Sequence, residues 1–269
     1  RAGTINRPRR RRSVESVRDE LGETLFRRSY RMTYDSFTRL VELLDQHIDD
    51  AIAKFDERKR RKRVRLRRRL SKKKLRRQIK SPRRVSCYPE LMRVDKSVRL
   101  AIALRYFAGG DMYDIAPLFG VSRTACFYSV WIIIDAVHSC TRLQLSFPES
   151  HVAQRALAQG FRAKSRAGFG CCVGAVDGLL IWVERPSDLE CRKAKCGPRK
   201  FFCGRKHKQG LNCQAVGDAR GRFLDMTIQF PGSASDVLSF EASELYGKLN
   251  AGLLAPGLCL FGDNAYLNS

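Results

Sequence analysis

The segment that most constrains the fold is GAVDGLLIWVERP, residues 174–186, which reads as a β-strand with apolar residues on both faces. Asp177 stands in the middle of this strand. An unpaired carboxylate buried in such a strand is strongly destabilising unless it becomes protonated. The acid therefore predicts a compensating partner, which can be a hydrogen-bond network, a basic side chain or a metal ion.

The elements that follow this strand indicate how the acid is used. Two more strands, LNCQAVGD and RFLDMTIQF, are joined by a GDARG turn, and a helix and a short strand ending at Asp263 come next. Three strands in a meander, then a helix, then a fourth strand beside the first is the strand order of an RNase H-like fold. That order would bring Asp263 next to Asp177, where Mg²⁺ or Mn²⁺ ions would relieve the repulsion between the two carboxylates.

The residues before this region have a helical period. A basic, flexible segment is expected over 1–33, and a helix over 34–50 that packs on a helical domain at 94–147. Within 94–147, a helix, a short helix, a turn with glycine and a longer helix form a helix-turn-helix-like pattern. It places Arg123, Thr124 and Tyr128 near the exposed start of the third helix, as DNA contacts. A plain helical bundle is the alternative.

The net charge of +25 points to a polyanionic partner. Between Arg58 and Arg84 there is no acid, and an Arg/Lys-rich linker is expected over 51–93. The alternatives for this run are a solvated segment, a nuclear-import signal, and a phosphate contact to DNA or RNA. No apolar run reaches the roughly 18 residues that span a bilayer, so no membrane partner is expected. The DNA-contact candidates in the run are Arg60, Arg61, Lys62, Arg67, Arg68, Arg69, Lys72, Lys73 and Lys74.

Several spaced motifs between residues 170 and 266 resemble the Harbinger-type DDE transposases and the nuclease derived from them in animals. The motifs, in the order of that family, are GAVDGLLIWVERP, GLNCQAVGDARGRF, PGSASDVLSF and CLFGDNAYL. The resemblance implies a divalent-metal-dependent DNA endonuclease and strand transferase that acts in the nucleus. It also implies Asp177 and Asp263 as the catalytic acids, and Asp177, Asp236 and Asp263 as ligands of Mg²⁺ or Mn²⁺.

Two departures from the family pattern bear on catalysis. Leu179 and Leu180 stand where the family has a polar Thr-His pair. The family's catalytic Glu lies some tens of residues beyond the second Asp, whereas the sequence ends at Ser269. The expected fold is therefore α+β, with an N-terminal helix-turn-helix-like domain followed by an incomplete RNase H-like α/β nuclease domain over 148–269.

Three functional classes stay open at this point. The first is a DDE nuclease or a fragment of one, the second a domesticated or degenerate DNA-binding protein without catalysis, and the third an RNA-binding protein that uses the basic run. The resemblance also raises a separate Myb-like DNA-binding partner and a homo-oligomer as expectations.

The long loop after the first strand carries a Cys/His cluster. Its spacing lacks the paired C-x2-C geometry of zinc knuckles, so a phosphate contact and a zinc site both stay open. Asp218 is interpreted as a hairpin-turn residue. The residues of the cluster are Cys191, Cys196, Cys203, His207 and Cys213.

Overall fold

The structure is a computed structural model, and it describes residues 10–69 and 94–266. The chain divides into two compact units, with the boundary between Gln144 and Leu145. Each unit has its own buried apolar cluster.

The first unit is helical. Its helices begin at polar caps: the side chains of Ser13, Asp95, Asp111 and Ser122 each accept a hydrogen bond from a backbone N–H of the first turn. Ser122 thus caps the third helix of the helix-turn-helix-like pattern. The helices are α1 (Val14–Tyr30), α2 (Tyr34–Arg69), α3 (Lys96–Phe107), α4 (Met112–Leu118) and α5 (Arg123–Ser139).

Helix α1 lies inside the segment that was expected to be flexible, so that expectation is wrong for Val14–Tyr30. Val14 and Val17 are buried on one side of a kink, and Phe26 and Tyr30 on the other. Gly22 has non-helical backbone angles (φ 69°, ψ 167°), which resets the phase of the apolar stripe. A search for a single helical period therefore misses this helix.

Helix α2 is 36 residues long and continues into the predicted linker as far as Arg69. Ala51 is buried, and Ile52 and Phe55 pack on the same apolar cluster, so the amphipathic stripe does not stop at residue 50. The expected linker is thus helical over its first part, and residues 70–93 lie outside the described residues.

Helices α3, α4 and α5 follow one another as a helix, a short helix and a longer helix, which is the order that the sequence pattern predicts for this segment. The axes of α4 and α5 are bent by 99°, which is within the range found in helix-turn-helix motifs. Gly120 in the turn has φ +61°, a conformation that side-chain-bearing residues rarely adopt. In the described part of the chain no single helix is long and apolar enough to cross a bilayer, although this bent pair reaches the required length and hydropathy together.

The second unit is a sheet with helices packed on it. The central strand β1 pairs antiparallel with β3 on one side and parallel with β5 on the other, and β3 also pairs with β4 and with the short β2. The last predicted strand therefore does lie beside the first. The strands are β1 (Cys172–Trp182), β2 (Phe202–Cys203), β3 (Lys208–Gly217), β4 (Phe223–Pro231) and β5 (Cys259–Phe261), and the helices are α6 (His151–Lys164), α7 (Asp188–Lys193), α8 (Asp236–Glu241) and α9 (Glu244–Asn250).

The core of this unit lies on one face of the sheet. Val176 and Val216 pack with Ala158 of α6, Phe240 of α8 and Leu245 of α9. Helix α6 was not predicted, and its buried Gln154 explains its position: the amide donates to the carbonyls of Pro148 (3.0 Å) and Leu253 (2.9 Å) and accepts from Ala255 N (2.8 Å). The site lies on this sheet, near the end of β5.

Candidate active site

Asp177 lies on β1, and Asp263 follows the end of the neighbouring parallel strand β5 by two residues. Ala175 of β1 is the register partner of Phe261 of β5. Asp177 lies two residues after Ala175, and Asp263 lies two residues after Phe261. The register therefore places both carboxylates at one end of the β1–β5 ladder.

Asp177 is exposed, which corrects the expectation that it is buried among apolar residues. The strand alternates around it: Val176 enters the core, whereas Leu179 on the Asp177 face is 62% exposed. Asp177 Oδ1 accepts a hydrogen bond from Gly178 N (2.7 Å), and Asp263 Oδ1 accepts one from Ala265 N (2.9 Å). Both carboxylates are accessible from solvent.

Asp236 occupies a different environment, at the start of α8. Its Oδ1 accepts hydrogen bonds from the amides of Asn212 and Gln214, both at 3.0 Å, and Gln214 also donates to Asn212 Oδ1 (2.7 Å). Asn212 and Gln214 are buried residues of β3, and they lie opposite Leu180 and Gly178 of β1, respectively. Two amide donors thus hold this carboxylate against the core face of the sheet.

The glycine at position 178 permits this approach. A Cβ at Gly178 would stand 2.7 Å from Asp236 Cγ and 3.0 Å from Gln214 Nε2, and it would overlap Asp236 Oδ1. Any side chain at position 178 would therefore push Asp236 away from the amides that hold it.

Tyr266 lies within the electrostatic influence of all three acids. Its hydroxyl donates to Gln214 Oε1, which connects it to the Asp236 network. Burial raises the pKa of Tyr266, and the negative charges of Asp236, Asp177 and Asp263 raise it further. The phenol therefore stays protonated and donates to the amide oxygen of Gln214.

Comparison with known families finds a match over the segment that carries these acids. The family model described as "DDE superfamily endonuclease" matches residues 176–269, which include all three acids. These residues therefore match a DDE superfamily endonuclease domain, and relatives of modest identity support a Harbinger type for it.

The similarity to individual relatives covers more residues of this chain than the family match does. "Putative nuclease HARBI1" of Bos taurus and of Homo sapiens are each 23% identical to the chain over 176 residues, which is 64% of this chain and 46% of each relative. "Protein ALP1-like" of Arabidopsis thaliana is 24% identical over 155 residues, or 57% of this chain and 35% of that protein. The chain thus spans about half the length or less of these relatives. No solved structure matches it.

The basic residues predicted to contact DNA lie partly outside the described residues. Arg60 and Arg61 both donate to Glu57 (2.7 Å each), and these bonds lower the pKa of that carboxyl to about 2. Lys62 is exposed on the same helix. Arg67, Arg68 and Arg69 lie in the last turn of α2, and Lys72, Lys73 and Lys74 lie outside the described residues.

The three residues predicted on α5 have different environments. Arg123 and Thr124 are exposed, and the guanidinium of Arg123 lies 4.4 Å from the ring centroid of Tyr113. Tyr128 is half-buried, because its ring packs on Phe55 and the ammonium of Lys59 lies 3.7 Å from its centroid. The expected position of Tyr128 near an exposed helix start is therefore wrong, since α2 covers it.

The Cys/His residues of the long loop do not form a metal cluster in the structure. Across residues 10–69 and 94–266, no group of three or more His, Cys, Asp or Glu side chains could hold a metal ion by itself. Asp218 is confirmed as a turn residue, because it accepts from the backbone N–H groups of Arg220 (2.8 Å) and Arg222 (2.9 Å) and from the Arg222 side chain (2.7 Å).

Sequence reasoning missed the amides and the phenol around Asp236 in the DDE domain. A signal for the amides was present: Asn212 and Gln214 are two residues apart in an otherwise apolar strand, so they share one face. Polar pairs on the buried face of a strand need partners there. No comparable signal exists for Tyr266, because its contact with Gln214 joins residues that are 52 positions apart.

Proposed function

We propose that this protein is a divalent-metal-dependent DNA endonuclease and strand transferase of the DDE type, with an RNase H-like catalytic domain. The observation that carries the proposal is the register of β1 and β5, which places Asp177 of β1 and Asp263, two residues after the end of β5, at one end of the β1–β5 ladder. The position of Asp236 at the start of α8, against Gly178 of β1, supports it.

The residues present fit a divalent ion as a partial ligand set. Asp177 and Asp263 offer exposed carboxylate oxygens, the donors that Mg²⁺ and Mn²⁺ prefer, and Mg²⁺ commonly keeps several waters besides one or two carboxylates. When bound, such an ion would activate a water molecule and stabilise the charge on the phosphate oxygens. The side chain of Asp236 is 22% exposed, and its Oδ1 is occupied by two amides, so Oδ2 is the oxygen it can present to an ion.

The chain's own residues account for substrate binding and for the orientation of the acids. A hydrogen bond from Gly178 N orients Asp177, and one from Ala265 N orients Asp263. The net charge of +25 attracts the phosphate backbone. In the helical unit, the exposed Arg123 and Thr124 at the start of α5 are the candidates for base contacts.

The resemblance to Harbinger-type transposases supports further proposals about context. We propose that the protein acts in the nucleus, with the basic run at 58–84 as the import signal, and that it works with a Myb-like DNA-binding partner or as a homo-oligomer. After hydrolysis, the freed 3′-hydroxyl would attack target DNA.

The test is thermal stability with and without Mn²⁺. A ligand that binds only the folded state at 100 times its Kd stabilises it by about 2.7 kcal/mol, so the wild-type Tm should rise. Asp177→Asn and Asp263→Asn should each abolish the rise. Asp188→Asn, which removes the same charge from an exposed position on α7, is the matched control and should keep it.

Two outcomes would contradict the proposal. An equal Mn²⁺ shift in wild type and Asp177→Asn would show that the ion binds elsewhere. No shift in the wild type, together with salt-sensitive DNA binding, would favour a DNA-binding protein without metal chemistry.

A further inference from the structure

A groove of about 610 Å³ runs along β1 from the Asp236 network to the end of the strand. Its floor includes Gly178, Leu180 and Trp182, which alternate on the core side of β1. Its walls are the loops at 203–206 and 232–237. Trp182 lies four positions after Gly178, which corresponds to about 13 Å of extended strand.

Trp182 lies at one end of the groove, and its aromatic ring is accessible to solvent. It is 68% exposed, although tryptophan is usually largely buried. Its register partner on β3 is Gly210, so no side chain stands opposite the ring. A Cβ at Gly210 would come within 2.6 Å of Leu180, which shows that the groove floor is packed around this glycine.

The rim of the groove is positively charged. The segment 184–208 contains nine Lys and Arg residues and three acids. Arg205 and Lys206 line the groove, and the Arg205 side chain is 76% exposed with only a long contact to Asp236 (3.9 Å). The ammonium of Lys208 lies 5.4 Å from the centroid of the Trp182 ring. An aromatic ring beside several cations matches the way proteins hold single-stranded nucleic acid.

We propose that this groove binds one unpaired nucleotide of the DNA strand next to the cleaved bond. The base stacks on Trp182, and its phosphates contact Arg205 and Lys206. The nucleotide must be unpaired, because a base inside a duplex is stacked on both faces and cannot reach a protein ring. The inference rests on the proposed function, since it takes DNA as the substrate and Asp236 as part of the site.

The two tryptophans of the chain permit a local readout. Trp131 lies in the helical unit and Trp182 in the groove. In the full-length Trp131→Phe protein, a single-stranded oligodeoxynucleotide should quench the fluorescence of Trp182, and a blunt duplex of the same sequence should not. The Trp182→Phe protein is the matched control, and the emission of its Trp131 should stay unchanged. DNA binding is measured on the same samples by anisotropy of a labelled strand.

Substitutions test the energetic contribution. Trp182→Ala should weaken single-strand binding about 5- to 150-fold, which corresponds to the loss of one stacked base, and leave duplex binding within about twofold. Trp182→Tyr should retain most of the affinity, because it keeps an aromatic face. Arg205→Ala with Lys206→Ala should weaken single-strand binding and lower its salt dependence.

The outcomes separate this inference from the proposed function. Binding without quenching of Trp182, or equal quenching by single strand and duplex, would overturn the stacking site and leave the nuclease proposal intact. No binding of any DNA by anisotropy would overturn both. Tighter, Trp182-dependent binding of a single-stranded RNA of the same sequence would overturn the assignment to DNA.

Discussion

Replacing Gly178 of β1 with alanine should displace Asp236 and Gln214 from their positions in the candidate site. The new Cβ would stand 2.7 Å from Asp236 Cγ and 3.0 Å from Gln214 Nε2, both well inside van der Waals contact. Neither neighbour moves easily, because Asp236 accepts from two buried amides and Gln214 bonds to both Asn212 and Tyr266. The expected response is an outward shift of Asp236 that breaks its amide bonds.

The magnitude follows from these contacts. Inserting a methyl group into packed structure costs about 1–3 kcal/mol. Each hydrogen bond to a charged group contributes about 1.5–3 kcal/mol, but the displaced carboxylate is partly rehydrated, so only part of that stabilisation disappears. We therefore expect Gly178→Ala to lower the free energy of unfolding of the second unit by about 2–4 kcal/mol.

Urea unfolding followed by tryptophan fluorescence measures this quantity in the right unit. In a Trp131→Phe background, Trp182 alone reports on the unit that contains β1. The matched control is Gly217→Ala on β3, where the nearest atom to a new Cβ is 3.8 Å away. That substitution should be neutral or stabilise by up to about 1 kcal/mol. The urea midpoint should fall for Gly178→Ala with little change in the m-value.

A double-mutant cycle with Asp236→Ala identifies the cause. Removing the Asp236 carboxylate removes most of the overlap, so the double variant should be more stable than the sum of the two single effects predicts, by about 1–2 kcal/mol. Additive effects within about 0.5 kcal/mol would refute the reasoning, because they would mean that Gly178 and Asp236 do not compete for the same space.

Three further predictions concern stability and binding. Burial acts to raise the pKa of Asp218, but the hydrogen bonds from Arg222 and Arg220 outweigh it and lower the pKa. The stabilisation by this carboxylate is therefore present above the ordinary pKa near 3.9, and it disappears as the pH falls through the lowered pKa. Asp218→Asn should flatten the acid limb of a stability–pH curve, and an unchanged limb would contradict this. Gln154→Ala removes the partner of three backbone groups, the carbonyls of Pro148 and Leu253 and the N–H of Ala255, and should lower the free energy of unfolding in urea by about 2–4 kcal/mol. A loss under about 1 kcal/mol would show that water replaces the amide. Deleting residues 58–84 should reduce the slope of log K against log salt for duplex DNA by about 0.9 for each phosphate group that the shortened protein no longer neutralises, and an unchanged slope would place the DNA contacts elsewhere.

The sequence alone determined those features that depend on local pattern. The strands around Asp177 and before Asp263, the turn at Asp218 and the cap at Ser122 all follow from residue types at short spacing. Their order along the chain was enough to predict that the last strand lies beside the first, because few connections of a meander, a helix and a strand are compatible with one sheet.

Other features depend on contacts between residues far apart in sequence. Asp177 is exposed because α6, α8 and α9 pack on the Val176 face of the sheet, and nothing in the strand itself says which face they choose. The Asp236 network includes Asn212 and the contact between Gln214 and Tyr266, which are 52 positions apart. Helix α1 was hidden by the kink at Gly22, and Tyr128 was covered by α2. Local periodicity reports which residues can be buried, whereas the partner that buries or exposes each one is set only when distant elements pack together.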